Sequence, residues 1–290
     1  MPLSMEARAF YTRAEPMTDL GALAAAARAL PAGVAGVSEV VQGLLIHQFW
    51  QGAYKVEPSA ERAAQTHRRS VIATLEMAGP GPLAERREPS ERAVGVCRHF
   101  SVVATALLRA QGIPARARVG FGAYFERGKF VDHWVVEYWN DAEDRWVLTD
   151  AQLDAVQTAA LKPDFDTLDV PRDRFVIAGD AWRQCRSGAA DPMTFGIMDM
   201  WGLWFVAHNV LLDFASLNNM EMLPWDDWGP SPQPGETPSA EACALFDRLA
   251  GLTLDADDRF AELRTLYEGD ASLRVPAEVF NAVTQRLELV

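Results

Sequence analysis

A cysteine at position 97 opens an apolar helical pattern, CRHFSVVATALLRAQGIP, and a histidine at 133 and an aspartate at 150 follow in the strand-like runs FVDHWVVEYW and RWVLTD. The reactive form of cysteine is the thiolate, and a free thiol with a pKa of about 8.5 is only a few per cent ionised at neutral pH. Lowering that pKa by about two units takes roughly 2.7 kcal/mol, whereas a helix N-terminus supplies about 0.3 to 1 kcal/mol. The helix start does not suffice, and an imidazolium within hydrogen-bond reach can supply the remainder. His133 is the candidate for that role, and Asp150 for the group that fixes its tautomer and stabilises its charge. In these roles Cys97 attacks an acyl carbon, His133 protonates the leaving group, and a thioester forms that water or an amine resolves. The Cys97 backbone N–H, at the helix start, is one oxyanion donor. For a second donor the upstream segment offers His47, Gln48 or Trp50.

The elements that must position these groups follow from periodicity. Phe100, Val103, Ala104, Leu107 and Leu108 repeat at steps of three and four, and Cys97 lies on the same stripe, so the thiol is expected to face a packing partner. Gly112 and Pro114 end the helix. Three strands follow, roughly Arg116 to Phe125, Phe130 to Trp139 and Arg145 to Asp150, and the short links ERGK and NDAED imply an antiparallel meander. On the middle strand His133, Val135, Glu137 and Trp139 share one face, and Asp132, Trp134, Val136 and Tyr138 the other. Upstream, VSEVVQGLLIHQFW and PSAERAAQTHRRSVIATLEM read as helices, and a Pro/Gly-rich approach leads to Cys97. Downstream, WGLWFVAHNVLLDFASLNNMEM reads as a helix ending near Pro224. PSPQPGETPS is the linker candidate, with Thr237 and Pro238 as cap and first turn of the next helix, and DDRFAELRTLYEG and PAEVFNAVTQRLEL read as amphipathic helices.

With 290 residues, 49% of them hydrophobic, the chain can bury a large core. Three cysteines without metal-ligand or Cys-x-x-Cys spacing argue against a disulfide framework and for a reducing cytoplasm. A formal charge of −13 disfavours nucleic acid and anionic membranes as partners. The Ala-rich stretch GALAAAARALPAGVAGV does not read as a signal, because Glu15 and Asp19 precede it and Arg28 and Pro31 interrupt it. The run MWGLWFVAHNVLL is too short to span a bilayer.

The runs GVCRHFSVVATALLRAQGIPARARVGFGAYF, DHWVVEYW and RWVLTDAQLD resemble the core of the transglutaminase-like superfamily of papain-fold cysteine enzymes. The resemblance implies that Cys97, His133 and Asp150 form a catalytic triad, and the GIPAR turn from Gly112 to Arg116 is a second hallmark. The later stretches AGDAWRQCRSG and LNNMEMLPWDDWG extend the likeness to stand-alone bacterial transglutaminase-domain proteins. The superfamily includes crosslinking enzymes, peptidases and amidases, amide-forming acyltransferases, and members that have lost the triad; here its three letters are intact. The acidic calcium loop of some animal members has no counterpart, and no metal or cofactor is expected.

These observations lead to an α+β fold in which the Cys97 helix packs on an antiparallel sheet, with helical N- and C-terminal extensions. The expected division is a catalytic domain over 1–230, its core about 90–155, and a helical extension over 231–290. The expected activity is transfer of an acyl group from an amide or thioester to an amine. The alternatives are a peptidase or amidase that uses water, and a binding or scaffold module without turnover. The acyl substrate is a small molecule, a peptide or a carrier-bound group, and the oligomeric state stays open. Arg98 and His99 oppose the helix dipole, which suggests either solvation and ion pairing or an anionic substrate group such as a carboxylate or carrier phosphate. Trp134 and Trp225 are further substrate-contact candidates. Trp201 and Trp204 read as packing, or with Trp225 and Asp226 as an acyl-pocket wall. Cys185 and Cys243 are expected to be inert, and Arg116 and Arg118, on one strand face, to be solvated or ion-paired.

Overall fold

The apolar stripe that begins at Cys97 finds its partners upstream in the chain. A computed structural model describes residues 3–290. Before the cysteine helix come α1 (Met5–Thr12), α2 (Ala24–Arg28), α3 (Gly33–Leu44), β1 (Leu45–His47), α4 (Ala60–Ala64), α5 (Val71–Glu76) and β2 (Ala93–Gly95). Then follow α6 (Cys97–Ala110), β3 (Ala115–Gly122), β4 (Phe130–Asn140), β5 (Arg145–Thr149) and α7 (Ala155–Leu161). The remainder holds β6 (Phe175–Ile177), α8 (Ala178–Ser187), β7 (Phe195–Ile197), β8 (Met200–Trp201), α9 (Leu203–Ser216), β9 (Asp226–Asp227), α10 (Ala240–Leu254), α11 (Phe260–Gly269), β10 (Glu278–Asn281) and β11 (Arg286–Leu289). The architecture is α+β, with the strand order β6-β3-β4-β7-β8 and β5 added on β4.

Two compact units share this chain. The first comprises the residues up to Ala117 with Trp134–Pro171, and the second Arg118–His133 with Arg172–Val290. The strands β3 and β4 each run through both units, and the chain after 171 supplies strands that pair with the end of β3 and the start of β4.

In the first unit α6 packs against α3, and Val37, Val41 and Leu44 meet Phe100, Val103 and Leu107 in a core that also takes in Ala115 and Val136. Each fully buried side chain of this size stabilises the fold by about 1.5–3 kcal/mol. The run VSEVVQGLLIHQFW is not one helix. Its helix stops at Leu44, Leu45–His47 pairs in parallel with Ala93–Gly95, and 3₁₀ turns cover Gln48–Tyr54. A short apolar run such as LLI carries no period to separate helix from strand, and here a remote partner decides. The next run also breaks in two, with Ser70 Oγ accepting from the Ala73 N–H to start α5. The second half of β4 is antiparallel to β5, from Val136 opposite Thr149 to Asn140 opposite Arg145.

In the second unit β6 runs antiparallel to the end of β3, β7 runs parallel to the start of β4, and α8, α9 and α10 pack on one another. The helix α9 stops at Ser216 rather than near Pro224, and Asn219, at φ +61°, turns the chain. Ser239, not Thr237, caps α10, its Oγ accepting from the Ala242 N–H. The C-terminal extension is not wholly helical. PAEVFNAVTQRLEL forms the hairpin β10–β11, whose turn is closed by Asn281 Oδ1 accepting from the N–H groups of Val283 and Thr284.

Arg116 and Arg118 are buried and ion-paired. In the first unit Arg116 Nε donates to Glu137 at 2.7 Å, with its guanidinium 3.9 Å from the Trp146 ring centroid. In the second, Arg118 grips both oxygens of Asp213 at 3.0 and 2.8 Å, and the same carboxylate accepts from the Val119 N–H. Removing one member of a buried pair strands the other charge at a cost of about 3–5 kcal/mol. Asp213→Ala is therefore expected to lower the unfolding free energy in urea by about that amount; a loss under about 1 kcal/mol, the range of an exposed pair, would show that Arg118 finds another partner.

Candidate active site

The position of Cys97 is set by how α6 begins. The strand β2 ends at Gly95, Val96 is extended, and Cys97 is the first helical residue, 6% exposed. Val96 has no polar side chain to cap the helix, and His99 acts in its place. Its Nδ1 accepts from the Val96 N–H at 3.1 Å, and its Nε2–H donates to the Arg68 carbonyl at 3.0 Å. Only the neutral ring with its proton on Nε2 can do both. Burial, and next the charge of Arg98, push the pKa of His99 down to about 3. Gly95 is required for this fit, because a Cβ there would stand 2.8 Å from the His99 Cβ. Arg98 is fully buried as well, with a guanidinium nitrogen 3.5 Å from the same Arg68 carbonyl. Arg98 and His99, the residues expected to receive an anionic substrate group, are thus both buried, with a nitrogen of each at the Arg68 carbonyl.

His47 closes β1 directly beside Gly95, so the chain that leaves through Gln48 runs alongside the entry to α6. The His47 Nδ1 accepts from the Phe49 N–H at 3.3 Å, and its ring lies 6.3 Å from that of Phe100. Gln48 and Trp50 are half-buried in the 3₁₀ segment that follows.

Asp150 comes one residue after β5 and is 1% exposed; its Oδ1 accepts from the Gln152 N–H at 3.0 Å and its own N–H donates to the Thr167 carbonyl. The pairing of β5 with β4 ends where Thr149 is opposite Val136, and Asp150 follows directly. His133 is 2% exposed, and its ring is met edge-on by Tyr124, Phe125 and Phe175 at 6.0, 4.7 and 6.3 Å. Next to it, Asp132 accepts from Asn209 Nδ2 of α9 at 2.6 Å, and burial pushes this carboxyl up to about 6.

Residues 52–151 match the profile of the transglutaminase-like superfamily. That segment is similar to the transglutaminase-like core and covers about a third of the chain. Cys97, His133 and Asp150 all fall inside it. No curated protein matches the chain. A solved structure of a provisionally named cysteine protease from Cytophaga hutchinsonii is similar at 18% identity and a TM-score of 0.38, over 62% of this chain; the match spans half of that protein's length.

The sequence did not expose a network around Tyr54. Its hydroxyl donates to Asp154 Oδ1 at 2.7 Å, and Gln157 bridges Tyr54 and Gln152. Burial, and next the Asp154 bond, raise the Tyr54 pKa. This network links the segment after Gln48 to the loop after Asp150; the one local signal is Asp154, which also caps α7. Trp134, a substrate-contact candidate, is fully buried. Trp225 is half-buried ahead of β9 with its carbonyl accepting from the Ala282 N–H, and Asp226 accepts from the Leu223 N–H. Trp201 and Trp204 are half-buried and donate to the carbonyls of Met198 and Trp201. Burial, then the Asp191 charge, push the Cys185 thiol up to about 11, and Cys243 is buried with its Sγ 3.7 Å from the Pro238 carbonyl. Among the described residues no helix is long and apolar enough to cross a membrane.

His99 stays neutral when folded but titrates near 6.5 when unfolded, so between pH 6.5 and about 3 the unfolded chain binds more protons. Its contribution is complete above that window and is lost as pH falls through it. His99→Gln, whose amide can accept and donate in the same places, is expected to flatten the acid slope of stability relative to the parent. Equal slopes in urea titrations across the window would assign the acid sensitivity elsewhere.

Proposed function

We propose that the protein is a cysteine acyltransferase in which Cys97 is the nucleophile, His133 the general base and acid, and Asp150 the residue that orients the imidazole. The observation that supports this reading is that Cys97 is the first residue of α6, in a segment similar to the transglutaminase-like superfamily that also contains His133 on β4 and Asp150 directly after β5.

In the proposed cycle the Cys97–His133 pair exists as thiolate and imidazolium. The sulfur attacks the acyl carbon, and the developing oxyanion accepts from the Cys97 backbone N–H and from a donor on the His47–Gln48 exit of β1. The imidazolium returns its proton to the leaving amine or thiol as the carbon–leaving-group bond breaks, which leaves a thioester. An incoming amine then gives its proton to His133 and attacks, and the thiolate departs. Burial of Cys97 and Asp150 favours an amine acceptor over water, since a thioester held away from solvent survives until a nucleophile is bound.

Incubation with acyl thioesters or amides, followed by intact-mass measurement, is expected to show an acyl adduct in the parent and none in Cys97→Ala. With an amine added, the product is expected to be the amide; free acid alone would make the enzyme a hydrolase. Asp150→Asn is expected to lower kcat by about 10²-fold or more by releasing the imidazole tautomer. Iodoacetamide at mildly acidic pH is expected to modify Cys97 well ahead of Cys185 and Cys243. Equal, slow modification of all three with no adduct would favour a scaffold role.

A further inference from the structure

We infer that Tyr124 and Phe125 determine specificity by forming an aromatic wall on His133, against which an apolar, preferably aromatic, acyl donor lies. This inference rests on the proposed role of His133 in acyl transfer and deepens it to a substrate class. Three rings meet the imidazole edge-on, and they differ in exposure. Phe175, from β6, is fully buried and forms a floor. Tyr124 and Phe125 are half-buried on the turn that joins β3 to β4, and their centroids lie 4.5 Å apart.

Their position is built into the backbone. A Cβ at Gly122 would stand 2.7 Å from the Phe125 ring and 3.1 Å from the Tyr124 ring, so the strand ends in the one residue that lets both rings fold back. The turn beyond them is charged and exposed at Glu126 and Arg127. Lys129 Nζ then donates to the Met193 carbonyl at 3.0 Å and fixes its far end. Two large apolar rings are thus carried by an otherwise polar turn and laid on the candidate base with part of their surface open. A donor that lies against His133 on the open side of those rings meets aromatic surface, and ring faces favour a flat apolar group over a polar or charged one.

The test compares phenylacetyl and acetyl thioesters of one small thiol. Phe125→Ala is expected to lower kcat/KM for the phenylacetyl donor about tenfold relative to the acetyl donor, chiefly through KM, with Phe125→Leu intermediate. An unchanged ratio would overturn the specificity role. A second measurement needs no turnover. Carbethoxylation of His133 by diethyl pyrocarbonate, read by peptide mass with His67 as internal reference, is expected to rise about tenfold in Phe125→Ala and less in Phe125→Leu. Equal rates would overturn the wall itself. Turnover that persists in Cys97→Ala would refute the acyl-transfer reading instead, and the carbethoxylation rates would still decide whether the rings cover His133.

Discussion

The start of α6 depends on one uncharged ring. A helix begins with N–H groups that need acceptors, and the residue before it usually supplies a side-chain oxygen. Val96 cannot, and the imidazole of His99 bonds back to Val96 while its other nitrogen reaches Arg68. That arrangement fixes the first helical residue, and so the Cys97 sulfur, relative to β2 and through Gly95 to β1. It also explains why a buried histidine next to a buried arginine is tolerated: the ring carries no charge, so only the Arg98 charge must be accommodated.

The sheet is held by polar groups in places where an apolar core would suffice. Arg116 with Glu137, Arg118 with Asp213, and Asp132 with Asn209 are all buried. Pairs of this kind add little net stability over well-packed apolar residues, because desolvation opposes their attraction. They do discriminate between arrangements, since a wrong alignment leaves a charge unmet. On β4, the strand that carries His133, such groups sit both before and after the histidine.

Much of this was legible in the sequence, and the omissions have physical causes. The α6 stripe, the three strands that follow and the opposed faces of β4 all come from local periodicity, and the site candidates from chemistry together with a family likeness. Leu45–His47 was illegible because its partner, Ala93–Gly95, lies far along the chain. The β10–β11 hairpin was hidden because PAEVFNAVTQRLEL fits a helical stripe as well as two short strands, and only the Asn281 turn separates them. The burial of Arg98 and His99 was hidden for the opposite reason: a charged letter at a helix start suggests solvent or an ion pair, and nothing local reveals that the Arg68 carbonyl lies beside both. Tyr124 and Phe125 continue the alternation of β3, so they read as strand until Gly122 ends it.

The spacing on β4 has an evolutionary corollary. Asp132 is tied to α9, Glu137 is tied to Arg116, and His133 lies in the interval between those anchors. Side chains on a strand alternate, so inserting or deleting a single residue in that interval would reverse every orientation beyond it. Descendants of this chain should therefore tolerate changed letters between the two anchors, His133 excepted, far more readily than a changed count.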